Sequence, residues 1–197
     1  MKSIDLNGTV RENIGKTGSK HLRNEEKVPC ILYGGESNIF FSVIEKDLKH
    51  IIYTPNVYLI NLNVDGKQYS AKIQDIQYHP VTDSPVHIDF LQVSDKKKIT
   101  IELPVKVEGN SIGVREGGKL VQELRKVKVK GFLNDLPDEV VVDVTELGVG
   151  KSLRVGELKA AKYEFLNLKN SPVVSVKVTR AARGAADAAA AEAPAAK

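Results

Sequence analysis

The chain has a single cysteine, Cys30, among its 197 residues, so no internal disulfide can brace it. No apolar run is long enough to cross a bilayer. The first residues, Lys2, Ser3, Asp5 and Asn7 among them, are too polar for a secretory leader, and a cytoplasmic protein is expected. Paired metal ligands are missing as well. His21, His50, His79 and His87 lack ligand spacing, and Cys30 sits in an apolar stretch where it reads as a small core residue. No Ser/His/Asp set or carboxylate pair emerges, so nothing asks for catalysis, a metal, a cofactor or a small-molecule substrate. Gly15-Lys16-Thr17 and Gly150-Lys151-Ser152 end like phosphate loops. The glycine that such a loop needs five positions earlier is replaced by Val10 and Thr145, which argues against a nucleotide site.

What is present is the composition of a soluble globular protein, 42% apolar and 27% charged. The formal net charge of +4 is unevenly divided: residues 1–95 hold ten Lys and Arg against twelve Asp and Glu, and the remainder hold nineteen against thirteen. Bulk charge would therefore put a nucleic-acid partner on the second half. Phosphate, however, is bound by local groups and not by an average.

Three regions follow along the chain. Residues 1–94 mix strands with short helices. Ile4, Leu6 and Val10 suggest a half-buried strand, Ser19 an N-cap for a helix through about Glu26 stopped by Pro29, and Cys30 to Tyr33 a buried strand. A helix is expected over 46–52, and Asp65-Gly66 marks a tight hairpin. In the outgoing strand Tyr69, Ala71 and Ile73 face the core, which leaves Lys72 and Gln74 on the open face; a last strand over 87–91 exposes His87 and Asp89. Short strands at this spacing predict a small β-barrel with short helices. Residues 95–179 read as a second β-rich domain, with strands near 99–107, 127–132, 139–144 and 173–178 and a short helix at 153–159. Residues 180–197 are an Ala-rich tail, expected to be disordered or a frayed helix.

Two features carry recognition chemistry. Arg11, Lys16, Lys20 and Arg23, with His21 among them, form a compact basic cluster around Gly15 and Gly18, where phosphate could approach the backbone. The plainer alternative is a solvated loop and helix face. Lys72, Gln74, Gln77, His87 and Asp89 form a polar sheet face that can both donate to and accept from base edges; the alternative is an ordinary exposed sheet. Lys126, Lys128 and Lys130 alternate with valines as on any half-exposed strand.

The runs Val10-Arg11, Gly15-Lys16, Ser19-Lys20-His21-Leu22-Arg23, Pro29 to Gly35, Gln74 to Pro80 and His87-Ile88-Asp89-Phe90 resemble, in order and spacing, the bacterial large-subunit ribosomal protein L-twenty-five family. Glu108-Gly109, Gly113-Val114, Gly117-Gly118, Leu136-Pro137 and Val142-Asp143-Val144 resemble its longer two-domain form, called general stress protein CTC. The resemblance spans about residues 3–179. It implies a barrel that binds 5S ribosomal RNA at the central protuberance, across the widened minor groove of an internal loop. It further implies an RNA-contacting set of Arg11, Lys16, Lys20, His21, Arg23, Tyr33, Gln74, His87 and Asp89. Some relatives carry arginine at Lys20, His21 and Tyr78, so phosphate anchoring there should be weaker. The expectation is a ribosome-associated protein whose partners are 5S ribosomal RNA and neighbouring large-subunit proteins, with no membrane role. Its rivals are a β-rich protein–protein adaptor without RNA contact and a detached anticodon-recognition module.

Overall fold

The computed structural model describes residues 2–35, 37–94, 97–158 and 162–179. The Ala-rich stretch from 180 lies outside them. The chain divides into two compact units, one of Met1–Ile99 with Phe132–Asp138, the other of Thr100–Gly131 and the chain from Glu139.

The first unit runs β1 (Lys2–Val10), α1 (Lys16–Asn24), β2 (Lys27–Tyr33), β3 (Ile39–Ile44), α2 (Glu45–Ile52), β4 (Tyr58–Val64), β5 (Lys67–Tyr78) and β6 (Pro85–Gln92). The six strands close a barrel in the order β1-β3-β2-β6-β5-β4. Closure is made by parallel pairing of β1 with β4, from Lys2 opposite Tyr58 to Gly8 opposite Val64. Closing the sheet leaves no free edge for another chain to pair with. Its interior holds Leu6, Leu32, Phe41, Ile60, Leu62, Ile88 and Phe90, all buried. The rings of Phe41 and Phe90 meet at 5.5 Å, tilted by 46°. Gly8 makes this possible: a Cβ there would come within 2.7 Å of the Phe41 ring. The β4–β5 hairpin turns on Asp65 (φ 47°) and Gly66 (φ 83°), so both central residues take the left-handed conformation that such a two-residue turn requires.

Four local expectations for this unit need correction. Helix α1 starts at Lys16, with extended Gly15 as its N-cap and no side-chain cap; Ser19 lies within the helix, its N–H already bonded to the Gly15 carbonyl at 2.9 Å. Pro29 does not stop the helix. It belongs to β2, opposite Ser42, while the chain leaves α1 through Glu26 at φ 58°. The β6 ladder begins only at Cys30, so a residue without an N–H is tolerated just before it. Strand β3 is an addition to the sequence reading: its run Ile39-Phe40-Phe41-Ser42-Val43 does not alternate, and Phe41, Ser42 and Val43 are buried in succession. Val10, expected to be half-buried, is 49% exposed.

The second unit contains β7 (Ile99–Glu108), α3 (Ile112–Arg115), β8 (Lys119–Gln122), β9 (Lys126–Gly131), β10 (Val140–Asp143), β11 (Ser152–Arg154), β12 (Glu164–Phe165) and β13 (Pro172–Lys177). They form a four-stranded sheet, β10-β7-β9-β12, and a three-stranded sheet, β11-β13-β8. The helix expected over 153–159 is instead β11 followed by one 3-10 turn, Val155–Glu157, with residue 159 outside the described range. Leu153 is drawn into pairing with Val174, and a sheet partner outweighs a weak helical preference.

Removing the ring at the barrel centre leaves a void that the closed sheet cannot collapse. Phe41→Ala should lower stability by about 3–5 kcal/mol, measured by denaturant unfolding. Burial pushes the Cys30 thiol well above its ordinary pKa. It should therefore ignore a thiol reagent at mildly alkaline pH in the native protein and react fully once the protein is unfolded.

Candidate nucleic-acid interface

The outer face of β2, β6 and β5 is set by its registers. Ile31 lies opposite Asp89, and Tyr33 opposite Leu91; across the other side of β6, Lys72 faces Leu91, Asp75 faces Asp89, and Gln77 faces His87. A regular strand cannot turn both Gln74 and Gln77 outward, since they are three residues apart. The pairing slips between Ile73 and Asp75, so that Gln74 and Asp75 together occupy one place between Phe90 and Ile88. This β-bulge keeps Ile73 and Ile76 against the core while Gln74, Asp75 and Gln77 are all exposed. Sequence alternation missed Asp75 because it assumed an unbroken strand; the parity conflict between the two glutamines was the available signal.

A second slip, between Gln77 and Tyr78, sets Val86 out of step on β6. The Val86 carbonyl accepts a hydrogen bond from Arg23 Nε at 3.2 Å. That bond ties the basic end of α1 to the strand that carries His87 and Asp89. The terminal nitrogens of Arg23, which is exposed, stay available to a ligand. At the other end of α1, Arg11 Nη1 donates to Ser19 Oγ at 3.1 Å, and its guanidinium lies 5.9 Å from the Phe40 ring centroid. Arg11 Nε is buried and has no hydrogen-bond partner among the described residues.

Lys16, Lys20 and Arg23 follow one another along α1 at helical spacing, and all three are exposed. Among the described residues none of them forms an ion pair, whereas Glu25, the nearby acid, is held by Lys27 at 3.0 Å and His21 at 3.2 Å. The cluster thus keeps its charge uncompensated, while His21 is drawn into a pair. Lysines of the second unit behave differently: Lys128 meets Glu102 at 3.5 Å, and Lys130 lies opposite Glu164. Gly150-Lys151-Ser152 runs into strand β11 instead of opening a helix, so it does not build a phosphate loop.

Two expected members differ from the sequence reading. Lys72 is on the outer face but only 7% exposed. Its row is filled by bulky Leu91 and Tyr33, so it is not an open cation. His87 and Asp89 are half-buried; Nδ1 of His87 lies 2.8 Å from Asp89 Oδ1, near enough to pair when the ring is protonated but out of line for a hydrogen bond. The Tyr33 phenol is held above its ordinary pKa by burial and then by Asp89 and Asp75, so at neutral pH it is a neutral donor beside two acceptors. The face combines acceptors and donors, flanked by unpaired cations. Chemically this suits a polyanion that also displays hydrogen-bonding edges.

Comparison with known proteins gives a matching picture. The model of the Ribosomal L25p family matches residues 6–90, and that of the ribosomal protein TL5 C-terminal domain matches residues 98–180. A large ribosomal subunit protein bL25 of Phocaeicola vulgatus is 48% identical over 193 residues, covering 94% of this chain and 98% of the relative. Relatives of the same name from Bacteroides fragilis and Porphyromonas gingivalis are each 44% identical, covering 96% and 94% of this chain and 99% and 98% of their own.

The bulge makes a direct prediction. Deleting Gln74 removes the extra residue and leaves Ile73, Asp75, Ile76 and Gln77 on their present faces, so stability should change by no more than about 1 kcal/mol. Deleting Lys72 instead turns Ile73 outward and Gln74 inward, and should cost about 3 kcal/mol or more. Equal losses for the two deletions in denaturant unfolding would refute this account of the strand.

Proposed function

Because the chain belongs to the Ribosomal L25p family, we propose that it is a structural constituent of the large ribosomal subunit that binds 5S ribosomal RNA through its N-terminal barrel. The observation that carries the reading is the juxtaposition on one unit of uncompensated Lys16, Lys20 and Arg23 with the polar face of Gln74, Gln77, His87 and Asp89. An A-form helix shows a wide, shallow minor groove lined with 2′-hydroxyls and base edges, and a flat sheet face meets such a surface better than an inserted helix does. The target in this reading is an internal loop whose minor groove is widened. Arg11, Lys16, Lys20 and Arg23 hold phosphate and ribose; Gln74, His87 and Asp89, with Tyr33 beside them, meet base edges or 2′-hydroxyls. His21, paired with Glu25, contributes less, as does Lys72, which is only 7% exposed.

This work is structural and involves no enzymatic step, and it belongs to the cytoplasm, where bacterial ribosomes assemble. The second unit is read as facing neighbouring ribosomal proteins. Exposed Leu166 and Leu168 favour a protein contact there. A protein–protein adaptor without RNA contact would also use those leucines, but it leaves the unpaired cations of α1 without a purpose.

Binding to purified 5S ribosomal RNA over a salt series, with transfer RNA as competitor, tests the reading. Arg23→Ala should weaken binding and lower the slope of log affinity against log salt by about one. Gln74→Ala and His87→Ala should each cost about 1–3 kcal/mol of discrimination with little change in slope, by analogy with base-edge contacts in DNA. Equal affinity of the unaltered protein for both RNAs would overturn the specific claim.

A further inference from the structure

Asp75 stands directly opposite Asp89 across β5 and β6, at the centre of the face proposed to meet RNA. Opposed residues of an antiparallel pair hold their Cβ atoms about 5 Å apart, and like charges in that position destabilise the sheet. Asp89 has His87 beside it at 2.8 Å, whereas Asp75 is exposed and makes no ion pair among the described residues. Neither packing nor charge pairing within the barrel accounts for a second carboxylate there. It also works against phosphate binding, since it repels the polyanion that Lys16, Lys20 and Arg23 would attract. An anion at that place is useful only where the ligand presents a donor. In a minor groove the one base-borne donor is the 2-amino group of guanine.

We propose that Asp75 is a specificity-determining residue of the RNA interface, its carboxylate accepting a hydrogen bond from the 2-amino group of a guanine in the groove. The inference rests on the RNA-binding reading above. Bulge geometry supports it: because Gln74 and Asp75 share one place, the carboxylate is carried outward beside Gln77, while Ile73 and Ile76 stay in the core. Asp75 therefore works in two directions. It rewards an RNA with guanine at the matching position and repels one that offers only phosphate and acceptors.

The test uses the full chain, purified 5S ribosomal RNA and transfer RNA. Asp75→Ala should reduce the preference for 5S ribosomal RNA by about tenfold or more, while binding transfer RNA as tightly as the parent or more tightly. Asp75→Asn, which keeps one acceptor oxygen without the charge, should lie between. Replacing the internal-loop guanosines one at a time by inosine, which lacks the 2-amino group, should identify one position that weakens the parent but adds nothing to Asp75→Ala. An unchanged preference in Asp75→Ala would overturn the proposal, as would equal gains on both RNAs. So would a loss that follows 2′-deoxy substitution instead of inosine. If the parent itself shows no preference, the functional reading falls and this inference falls with it. If the parent discriminates and Asp75→Ala matches it, only the inference fails.

Discussion

Strand β5 has to satisfy two demands at once. Its apolar residues Ile73 and Ile76 must reach Phe90 and Ile88 inside the barrel, yet they are three residues apart, and a pleated strand returns to the same face only every second residue. The conflict is resolved by one extra residue on β5. Everything that follows along the strand depends on that solution, since a slip of one would drive Gln77 into the core and Ile76 into solvent. The same slip sets the register of Gln77 opposite His87 and of Asp75 opposite Asp89. Core packing and the composition of the outer face are therefore decided by a single local irregularity.

The second irregularity completes the arrangement. Val86, out of step with β5, offers its carbonyl to Arg23, and this joins helix α1 to the strand that bears the half-buried His87 and Asp89. Arg11 and Ser19 make a similar tie at the other end. Arg23 is held through Nε, while its terminal nitrogens stay open and the exposed Lys16 and Lys20 form no ion pair among the described residues. A positioned donor loses less conformational freedom on meeting a ligand than a free one. In the second unit, by contrast, Lys106, Lys128 and Lys177 are occupied by Glu139, Glu102 and Glu123. Positive charge is more abundant there, but these three lysines are already neutralised. Charge balance between halves is thus a poor guide to where a polyanion binds.

Much of the fold was legible in the chain. Period-two alternation, the Asp65-Gly66 turn and the spacing of apolar runs are local properties that survive folding, and they foretold a barrel followed by a β-rich unit. What escaped was set by partners distant in sequence. Strand β3 has a mixed pattern because Phe41 fills the barrel while Phe40 lies beside Arg11. The helix expected near Leu153 gave way to pairing with Val174. Ser19 looks like a cap, but the helix begins earlier, at Lys16 with Gly15 as its cap, and the Ser19 hydroxyl holds Arg11.

The basic cluster at 11–23 and the polar residues 74, 77, 87 and 89 were identifiable from residue type and spacing alone, because hydrogen-bonding capacity and charge belong to the side chain whatever the fold. Exposure and opposition do not. Only the closed barrel decided that Lys72 would be buried beneath its neighbours, that Arg23 would reach the Val86 carbonyl, and that Asp75 would stand against Asp89. Those outcomes depend on which strand lies beside which and in what register. That is fixed by packing apolar side chains from the whole chain into one interior, a condition no local stretch of sequence contains.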